Sequence, residues 1–578
     1  MSKSFDRRSF ITGSATMAAA AALGTSAMAF AAEENSLAAF VAPETATVRA
    51  GYLSYFDWLG EAPVIDESLI VDEQAVDVVI VGAGASGMCA ALSAAENGAS
   101  VAVIEKQPED MYMFIGHDIG TLNSEYVLSK GGQAIDTAEF IQDWQRRNGD
   151  RTNSALTRIF AENSGKALDW ILSHLSDEII ENCGVFAVPY PTEYPGAISG
   201  FKAWCCALHF QDDGTDWPDA AKTLMAAAKE LGATWDFDTE AVVLEKDGER
   251  VSGVIAQLPD GTYKRYTAAK AVILAAGDYG GNPLMTFALN DEYRNFVEVR
   301  RQDWSEIRSM SGRTGDGQKM GCWAGAVMEP GPRASMGRAM GAGCFGDLAM
   351  IQMNAKGKRF MNEGIFGVWG NYFQQMRQPI GRIYAVIDSK WREFVQKNAP
   401  EHVYPGTGGW HDGGFLTTLD EELPKVLEAG AEGYKIRGCA TYAANTLEEL
   451  ADYLELEGEV RDNFFASIER YNELAAAGKD TDFGKDAFLM EPISEPPFYC
   501  STLSNEKFSL GLVELSGLVV DENQNCLTAM GDPIPGLYTV GNNCGGRFAL
   551  QYHTPIAGIS MGWATTMGYM LGKTVAAL

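Results

Sequence analysis

Histidine is scarce in this chain, with six in 578 residues, so a mechanism that uses several imidazoles has little to draw on. None of the ten cysteines stands in C-x-x-C spacing and none opens C-x-x-C-H, which excludes covalent haem attachment. The adjacent Cys205-Cys206, with His209 nearby, lack the spacing that a zinc or iron–sulfur ligand set needs. The thiols therefore read as mostly buried, and no metal site is expected. Positive charge is also short: 45 Lys and Arg against 77 Asp and Glu give a net charge of −32. Such a field repels phosphates and argues against nucleic-acid or anionic-membrane partners. No apolar run makes a spanning helix, because residues 15–32 hold too much Ala, Gly, Ser and Thr. What the chain does have is 46% hydrophobic residues, enough for about two or three folded units.

Near the N-terminus, Ser4-Phe5-Asp6-Arg7-Arg8-Ser9-Phe10-Ile11 precedes an alanine-rich run ending in small residues at Ala27-Met28-Ala29 and Ala31-Ala32. The pattern resembles a twin-arginine export signal over residues 1–32. Its removal (Lys3, Arg7 and Arg8 against Asp6) would take the charge from −32 to −34. The resemblance implies a periplasmic or extracytoplasmic protein that folds around a cofactor before export.

The clearest chemical signal follows. Val76-Asp77-Val78-Val79-Ile80-Val81 is a β-branched run of parallel-strand character. It leads into Gly82-Ala83-Gly84-Ala85-Ser86-Gly87, then the helical Met88–Ala95, then a second strand, Val101–Ile104, ended by Glu105. A lone G-x-G-x-x-G says little. Between a strand and a helix, with an acid ending the next strand, it predicts a dinucleotide site. Gly82 permits the turn, Gly84 admits the pyrophosphate and Gly87 lets helix and strand pack closely. The helix N-terminus at Ala85-Ser86 faces phosphate, and Glu105 faces the ribose. No second strand–glycine–helix unit for NAD(P)H follows. Glu105-Lys106, the strand ending at Ala276-Gly277-Asp278 and the element Gly536–Asn542 are arranged as in two-dinucleotide-type flavoproteins, so FAD is the expected cofactor.

Three further motifs carry a family resemblance. Gly312-Arg313-Thr314-Gly315-Asp316-Gly317 contains a T-G-D-G turn, Asn354–Glu363 reads N-x-x-G-x-R-F-x-N-E, and Pro533-Ile534-Pro535-Gly536-Leu537-Tyr538 leads to the last strand. With the nucleotide fingerprint, and in this order, they resemble the FAD-dependent fumarate reductase and 3-ketosteroid dehydrogenase flavoprotein superfamily. The resemblance implies an α/β fold: a two-dinucleotide-type (Rossmann-like) FAD-binding domain, residues 70–328 and 505–578, with an inserted α+β capping domain at 329–504. Residues 33–69 would be a lead-in. The acidic stretch 447–477 would lie in the cap as a solvated face.

The resemblance also marks departures. The arginine that the fumarate reductases place four residues after the motif glutamate as proton donor is Gly367 here. Leu510–Gly517 offers no imidazole, and Gly545-Gly546-Arg547 stands where H-G-x-N-R-L-G-G would. Fumarate is thus a poor substrate candidate. The ketosteroid-like branch polarises a carbonyl with a tyrosine before its last glycine-rich turn, and Tyr552 fits that place. The alternative for Tyr552 is a buried aromatic with a satisfied hydroxyl. Gly558-Ile559-Ser560 would open the final helix toward the flavin. His553 (as a proton relay), Arg547, His117 and Arg333 are further catalytic candidates. Arg333 and the nearby Arg338 also read as surface arginines. Gly120, Ala276, Gly277, Asp316, Gly541 and Asn542 complete the expected cofactor set. Aromatics in the cap (Trp323, Phe345, Phe366, Trp369, Tyr372, Phe373, Trp410) suit either a large substrate or a cap core.

The function implied is hydride transfer from FAD to the activated C=C bond of an α,β-unsaturated carbonyl-type small molecule, as a terminal reductase of anaerobic respiration. Its electrons would come from a separate cytochrome or quinol-linked protein, and the chain would not be integral to a membrane. A dehydrogenase running the reaction backwards and a flavin electron-transfer subunit are the alternatives.

Overall fold

The computed structural model describes residues 57–578, apart from 113–115, 117, 133, 187–203, 205, 211–216, 338–341, 346–347, 365–367, 398–413 and 553–554. Residues 1–32, expected as an export signal, and His117, Cys205, Arg338, Phe366, Gly367, Trp410 and His553 therefore lie outside the described residues.

The β-branched run before the glycines forms the C-terminal half of β1 (Ile70–Val81), which begins six residues earlier than its hydrophobic signal. Only the last four residues of β1 are buried in succession, and these four made the apolar run legible. After the turn come helix α1 (Ala85–Glu96), strand β2 (Val101–Ile104) and, on a small antiparallel sheet, β3 (Asp118–Gly120). Helix α2 (Ser154–Leu172) precedes the other two strands of that sheet, β4 (Gly184–Phe186) and β5 (Ala207–His209). The large sheet resumes with β6 (Thr234–Asp236), β7 (Glu240–Asp247), β8 (Arg250–Gln257) and the long β9 (Tyr263–Leu274).

After a short β10 (Ser335–Gly337), a second sheet takes β11 (Ile351–Met353), β12 (Arg382–Ile387), β13 (Tyr434–Ile436), β14 (Cys439–Ala444) and β15 (Phe498–Ser504) in the order β11-β12-β15-β14-β13, all antiparallel. The chain returns through β16 (Leu510–Glu514), which pairs with β10. It then adds β17 (Asn525–Leu527) and β18 (Pro533–Thr539) to the large sheet and ends in helix α3 (Ile559–Ala576). The large sheet runs β17-β18-β9-β1-β2-β6, and its β1, β2, β6, β9 and β18 are mutually parallel where they pair.

Helix α3 packs on α1, and the contact is backbone on backbone. A side chain at Gly562 would collide with the Gly120 carbonyl, and one at Gly568 with the Ser86 carbonyl; at Gly572 its Cβ would stand 2.6 Å from the Ala90 carbonyl oxygen. Gly568 and Gly572, four residues apart, share the face of α3 toward α1, whereas Gly562 lies about a third of a turn away and faces β3. Beside Gly562, Trp563 stacks on Phe160 of α2 at 4.9 Å. The lead-in residues Trp58 and Leu59 are buried against the far face of the sheet, where Trp323 Nε1 donates to the Gly60 carbonyl at 3.1 Å.

The acidic stretch 447–477 forms two helices, Leu447–Tyr453 and Gly458–Ala476, rather than one. The second buries Phe464, Ile468, Tyr471 and Leu474 along a single face. Phe345 fills the core of the second sheet, while Tyr372 and Phe373 pack with Phe287, Tyr293 and Phe508. Nine cysteines are described as free thiols, of which only Cys183 is partly exposed.

The N-x-x-G-x-R-F-x-N-E motif proves to be a brace. Arg359 donates to both Glu363 oxygens at 2.9 Å and to Asp480 Oδ2 at 2.7 Å, and Lys485 Nζ lies 3.4 Å from Glu363. All four side chains are buried. Burial pulls Lys485 down to about 8, although Glu363 beside it opposes the fall. Removing one partner of such a network leaves charge uncompensated in the interior. Arg359→Ala should therefore cost about 3–5 kcal/mol in urea unfolding; a loss below about 1 kcal/mol would show that the motif does not brace the sheet.

Candidate functional site

The turn between β1 and α1 is fixed from three sides. Gly82 N–H donates to the Ile104 carbonyl at 2.8 Å, at a φ of 99° that only glycine adopts without strain. A side chain at Gly87 would strike the Gly82 carbonyl, and one at Gly541 the Ser86 hydroxyl. Gly84 differs: a Cβ there would meet nothing within 4 Å. It is the N-cap of α1 and no side chain caps the helix, so the first amides of α1 remain available to an anion.

In front of this turn lies a cavity of about 320 Å³, walled by Gly82, Gly84, Glu105, Lys106, Ala276 and Asp316 together with Gln107, Ser311 and Arg313. Glu105, 6% exposed, accepts the Ala83 N–H at 2.8 Å and the Gln107 N–H at 2.9 Å, so its carboxylate also shapes the loop expected to hold the nucleotide. Lys106 Nζ pairs with Asp316 Oδ2 at 2.7 Å across the cavity, linking the second strand to the T-G-D-G turn. Tyr112 closes on the Ala83 carbonyl.

Gly120, Gly277, Gly541, Asn542, Gly558, Ile559 and Ser560 lie outside the lining of this cavity. Gly277 carbonyl accepts Gln318 Nε2 at 2.9 Å, and Asn542 Oδ1 accepts Arg547 Nη2 at 2.9 Å and the Ser560 hydroxyl at 3.4 Å. Gly120 N–H donates to the Gly558 carbonyl at 3.0 Å at the start of α3, whose first residue, Ile559, is fully buried. Ala85 follows Gly84 in the first turn of α1.

Arg547 is fully buried. Its Nε donates to the Cys544 carbonyl at 3.1 Å, while Nη1 has no hydrogen-bond partner. Burial lowers its proton affinity; Cys544, Glu329 and the Tyr552 phenol hold it up. Tyr552 is 7% exposed, with its ring 5.3 Å from that of Phe548. Arg333 is directed elsewhere, donating to the Glu329 carbonyl at 2.9 Å and the Leu289 carbonyl at 2.6 Å.

Three acids near these groups, Asp278, Glu329 and Glu514, carry no signal in the sequence because nothing in their spacing distinguishes them, and neither does Arg313 inside the T-G-D-G segment. Glu329 accepts the Gly517 N–H at 2.9 Å and the Gly546 N–H at 2.8 Å, and desolvation pushes it up to about 7. Glu514, fully buried, is pushed up to about 8 by desolvation, with Asp278 adding to the shift. Desolvation raises Asp278 too, against the pull of Arg313.

Buried polar atoms without a partner occur in the segments around the turn and the 541–547 region: Thr121 Oγ1, Asp278 Oδ2, Gln318 Oε1, both amide atoms of Asn543, and Arg547 Nη1. Unpaired buried polar groups are rare and call for a polar partner. An open helix N-terminus, an adjoining cavity and these orphans fit FAD. Among the described residues no group of three or more His, Cys, Asp and Glu is placed to hold a metal.

The FAD binding domain family matches residues 77–554, and the chain belongs to it. It is an FAD-dependent oxidoreductase. It is 27% identical to a vinyl phenol reductase of Lactiplantibacillus plantarum over 86% of this chain and 96% of that one. To a fumarate reductase (cytochrome) of Shewanella frigidimarina it is 24% identical over 82% and 72%. Its fold is similar to that of the 3-ketosteroid-Δ4-(5α)-dehydrogenase of Rhodococcus jostii RHA1, with a TM-score of 0.63 and 20% identity over 88% of this chain and 99% of that one.

Two substitutions separate folding from cofactor binding. Gly84→Val should leave the thermal midpoint of the apoprotein within a few degrees while FAD affinity falls at least about tenfold, since only the bound pyrophosphate would meet the new side chain. Gly87→Val should lower both. Equal FAD affinity in Gly84→Val, measured by flavin fluorescence, would place the pyrophosphate elsewhere. Glu514 sets a pH dependence: the folded chain keeps a proton that the unfolded chain loses near 4.5, so stability falls as pH rises from about 5 to 8. Glu514→Gln should show a smaller fall in melting temperature across that range, with Asp278 and Glu329 supplying the remainder. An identical fall would mean that Glu514 is ionised throughout.

Proposed function

We propose that this protein is an exported reductase that adds hydride and proton across a C=C bond conjugated to a carbonyl or similar electron sink, and serves as a terminal reductase fed by a separate electron-donor protein. FAD, when bound, would supply the hydride. The observation that carries this reading is Arg547: a buried cation with an unpartnered Nη1, held by Asn542 and coupled electrostatically to the Tyr552 phenol. A desolvated cation and phenol acting together can draw charge toward a substrate carbonyl and leave the β-carbon electrophilic. The vinyl phenol and fumarate relatives, both named as reductases, support the direction. Export rests on Arg7-Arg8 and the run after it. A separate membrane-linked donor accords with the finding that no helix among the described residues is long and apolar enough to cross a membrane.

Anaerobic turnover with dithionite-reduced methyl viologen and a panel of enones, cinnamates, vinyl phenols and dicarboxylates tests the reading. Reduction of a panel member is expected. Turnover only in the presence of an oxidising dye would make the protein a dehydrogenase, and no turnover in either direction an electron-transfer subunit. On the best substrate, Tyr552→Phe should lower turnover by more than about threefold at unchanged FAD content; a smaller loss would remove the phenol from the chemistry.

A further inference from the structure

Arg547 stands in a stretch of chain, between β18 and α3, whose conformation is set from outside. Gly546 takes a φ of 76°; its N–H donates to Glu329 Oε2 at 2.8 Å and its carbonyl accepts the Asn153 N–H at 2.7 Å. Next along, the Arg547 carbonyl accepts Trp144 Nε1 at 3.1 Å, and the Ala549 N–H donates to Asn148 Oδ1 at 3.0 Å. Three of these four partners come from one short segment, 144–153. It is the end of the helix Thr137–Arg147 and the loop into α2, whose N-cap is Asn153.

That helix buries Phe140, Asp143, Trp144 and Arg147, spaced to lie on one face. The Trp144 indole is held by the rings of Phe140, Phe548 and Trp563, at 6.2, 5.1 and 5.8 Å. Asn148, one turn further on, donates from Nδ2 to the Trp144 carbonyl at 3.0 Å, so a single amide closes the helix and holds Ala549. Trp144 and Asn148 are both fully buried, and no water competes for these bonds. Phe548, between the two anchored residues, lies with its ring 5.3 Å from that of Tyr552. The same indole therefore backs the segment on which both polarising groups are carried.

The Arg547 side chain is tied at Nε to the Cys544 carbonyl and at Nη2 to Asn542 Oδ1, while Nη1 has no partner. With the main chain fixed at 546, 547 and 549, the direction of Nη1 is fixed too. We propose that Trp144 and Asn148 are positioning residues of the reductase, acting through the main chain of 547–549 to aim Arg547 Nη1 at the substrate carbonyl. The proposal rests on the reductase reading above. Neither residue touches substrate. Their part is preorganisation: a donor aimed before the substrate arrives spends nothing on reorganising in the transition state, and a small misplacement is costly.

The test uses FAD-loaded wild type, Trp144→Phe, Asn148→Ala, Arg547→Leu and the double variant Asn148→Ala with Arg547→Leu. Trp144→Phe keeps an aromatic ring against Phe548 and removes the Nε1 donor. In anaerobic stopped flow, reoxidation of the reduced flavin by the best alkene should slow at least about tenfold in Trp144→Phe and in Asn148→Ala. FAD content, and reoxidation by ferricyanide, which has no carbonyl to grip, should stay within about threefold of wild type. If both reoxidations slow alike, or FAD is lost, the two residues serve the fold alone and the proposal is overturned. Asn148→Ala should cost less than about twofold when added to Arg547→Leu, because the group it aims is gone; a full tenfold loss there overturns action through Arg547. Alkene reoxidation within about threefold of wild type in both single variants, in a wild type that reduces alkenes, overturns the positioning role alone. A wild type that reduces none of the panel overturns the reductase reading and this role with it.

Discussion

The cofactor wall depends on backbones approaching more closely than any side chain would allow. Helix α1 meets the β1 turn at Gly87, α3 meets α1 and β3 through Gly562, Gly568 and Gly572, and the 541–543 turn meets α1 through Gly541. All but the last bring a peptide group of one segment against that of another, and Gly541 makes room for the Ser86 hydroxyl, so the start of α1 is set by close backbone approach more than by rotamers. Side-chain packing such as Trp563 on Phe160 locks the arrangement from behind. Were these surfaces built from leucine or valine, the helices would stand farther apart and the turns could not converge on one cofactor.

Buried charge is handled in opposite ways on the two sheets. On the antiparallel sheet, Glu363 and Asp480 are answered by Arg359 and Lys485, and Arg359 holds Asp480 down to about 2. Beside the cofactor, Asp278, Glu329 and Glu514 are answered chiefly by N–H and hydroxyl donors, with the arginines at longer range. Hydrogen bonds of that kind tolerate either protonation state far better than a close ion pair does. The first arrangement fixes a shape; the second leaves protons able to come and go.

Much of the fold was legible because its strongest signals are local. A β-branched run, a glycine turn and an alanine-rich helix identify β1 and α1, and Glu105 at the end of β2 lies in the cavity as its spacing implied. Strand β1 extends back to Ile70 because pairing with β9 continues through residues whose side chains are solvent-facing, where periodicity carries no signal. The loop at 454–457 that splits the acidic stretch was invisible for a similar reason: polar residues are compatible with both helix and turn. Arg313, Asp278, Glu329 and Glu514 carry no signal in the sequence because their surroundings arise from tertiary proximity. Asp278 and Glu514 are 236 positions apart, yet joined by a hydrogen bond.

The segments around the cavity come from distant parts of the chain. The cavity takes residues from the β1–α1 turn and from the 275–276 and 310–316 segments, and the first turn of α1 is met from behind by Gly541 and, on α3, by Gly568. Gly541 stands against the Ser86 side chain and Gly568 against the Ser86 carbonyl, so the 541–543 turn and α3 together back the first turn of α1. The first turn of α1 is thus braced by segments far along the chain from it, and the glycine turn that opens the fold acquires its backing only through tertiary contact.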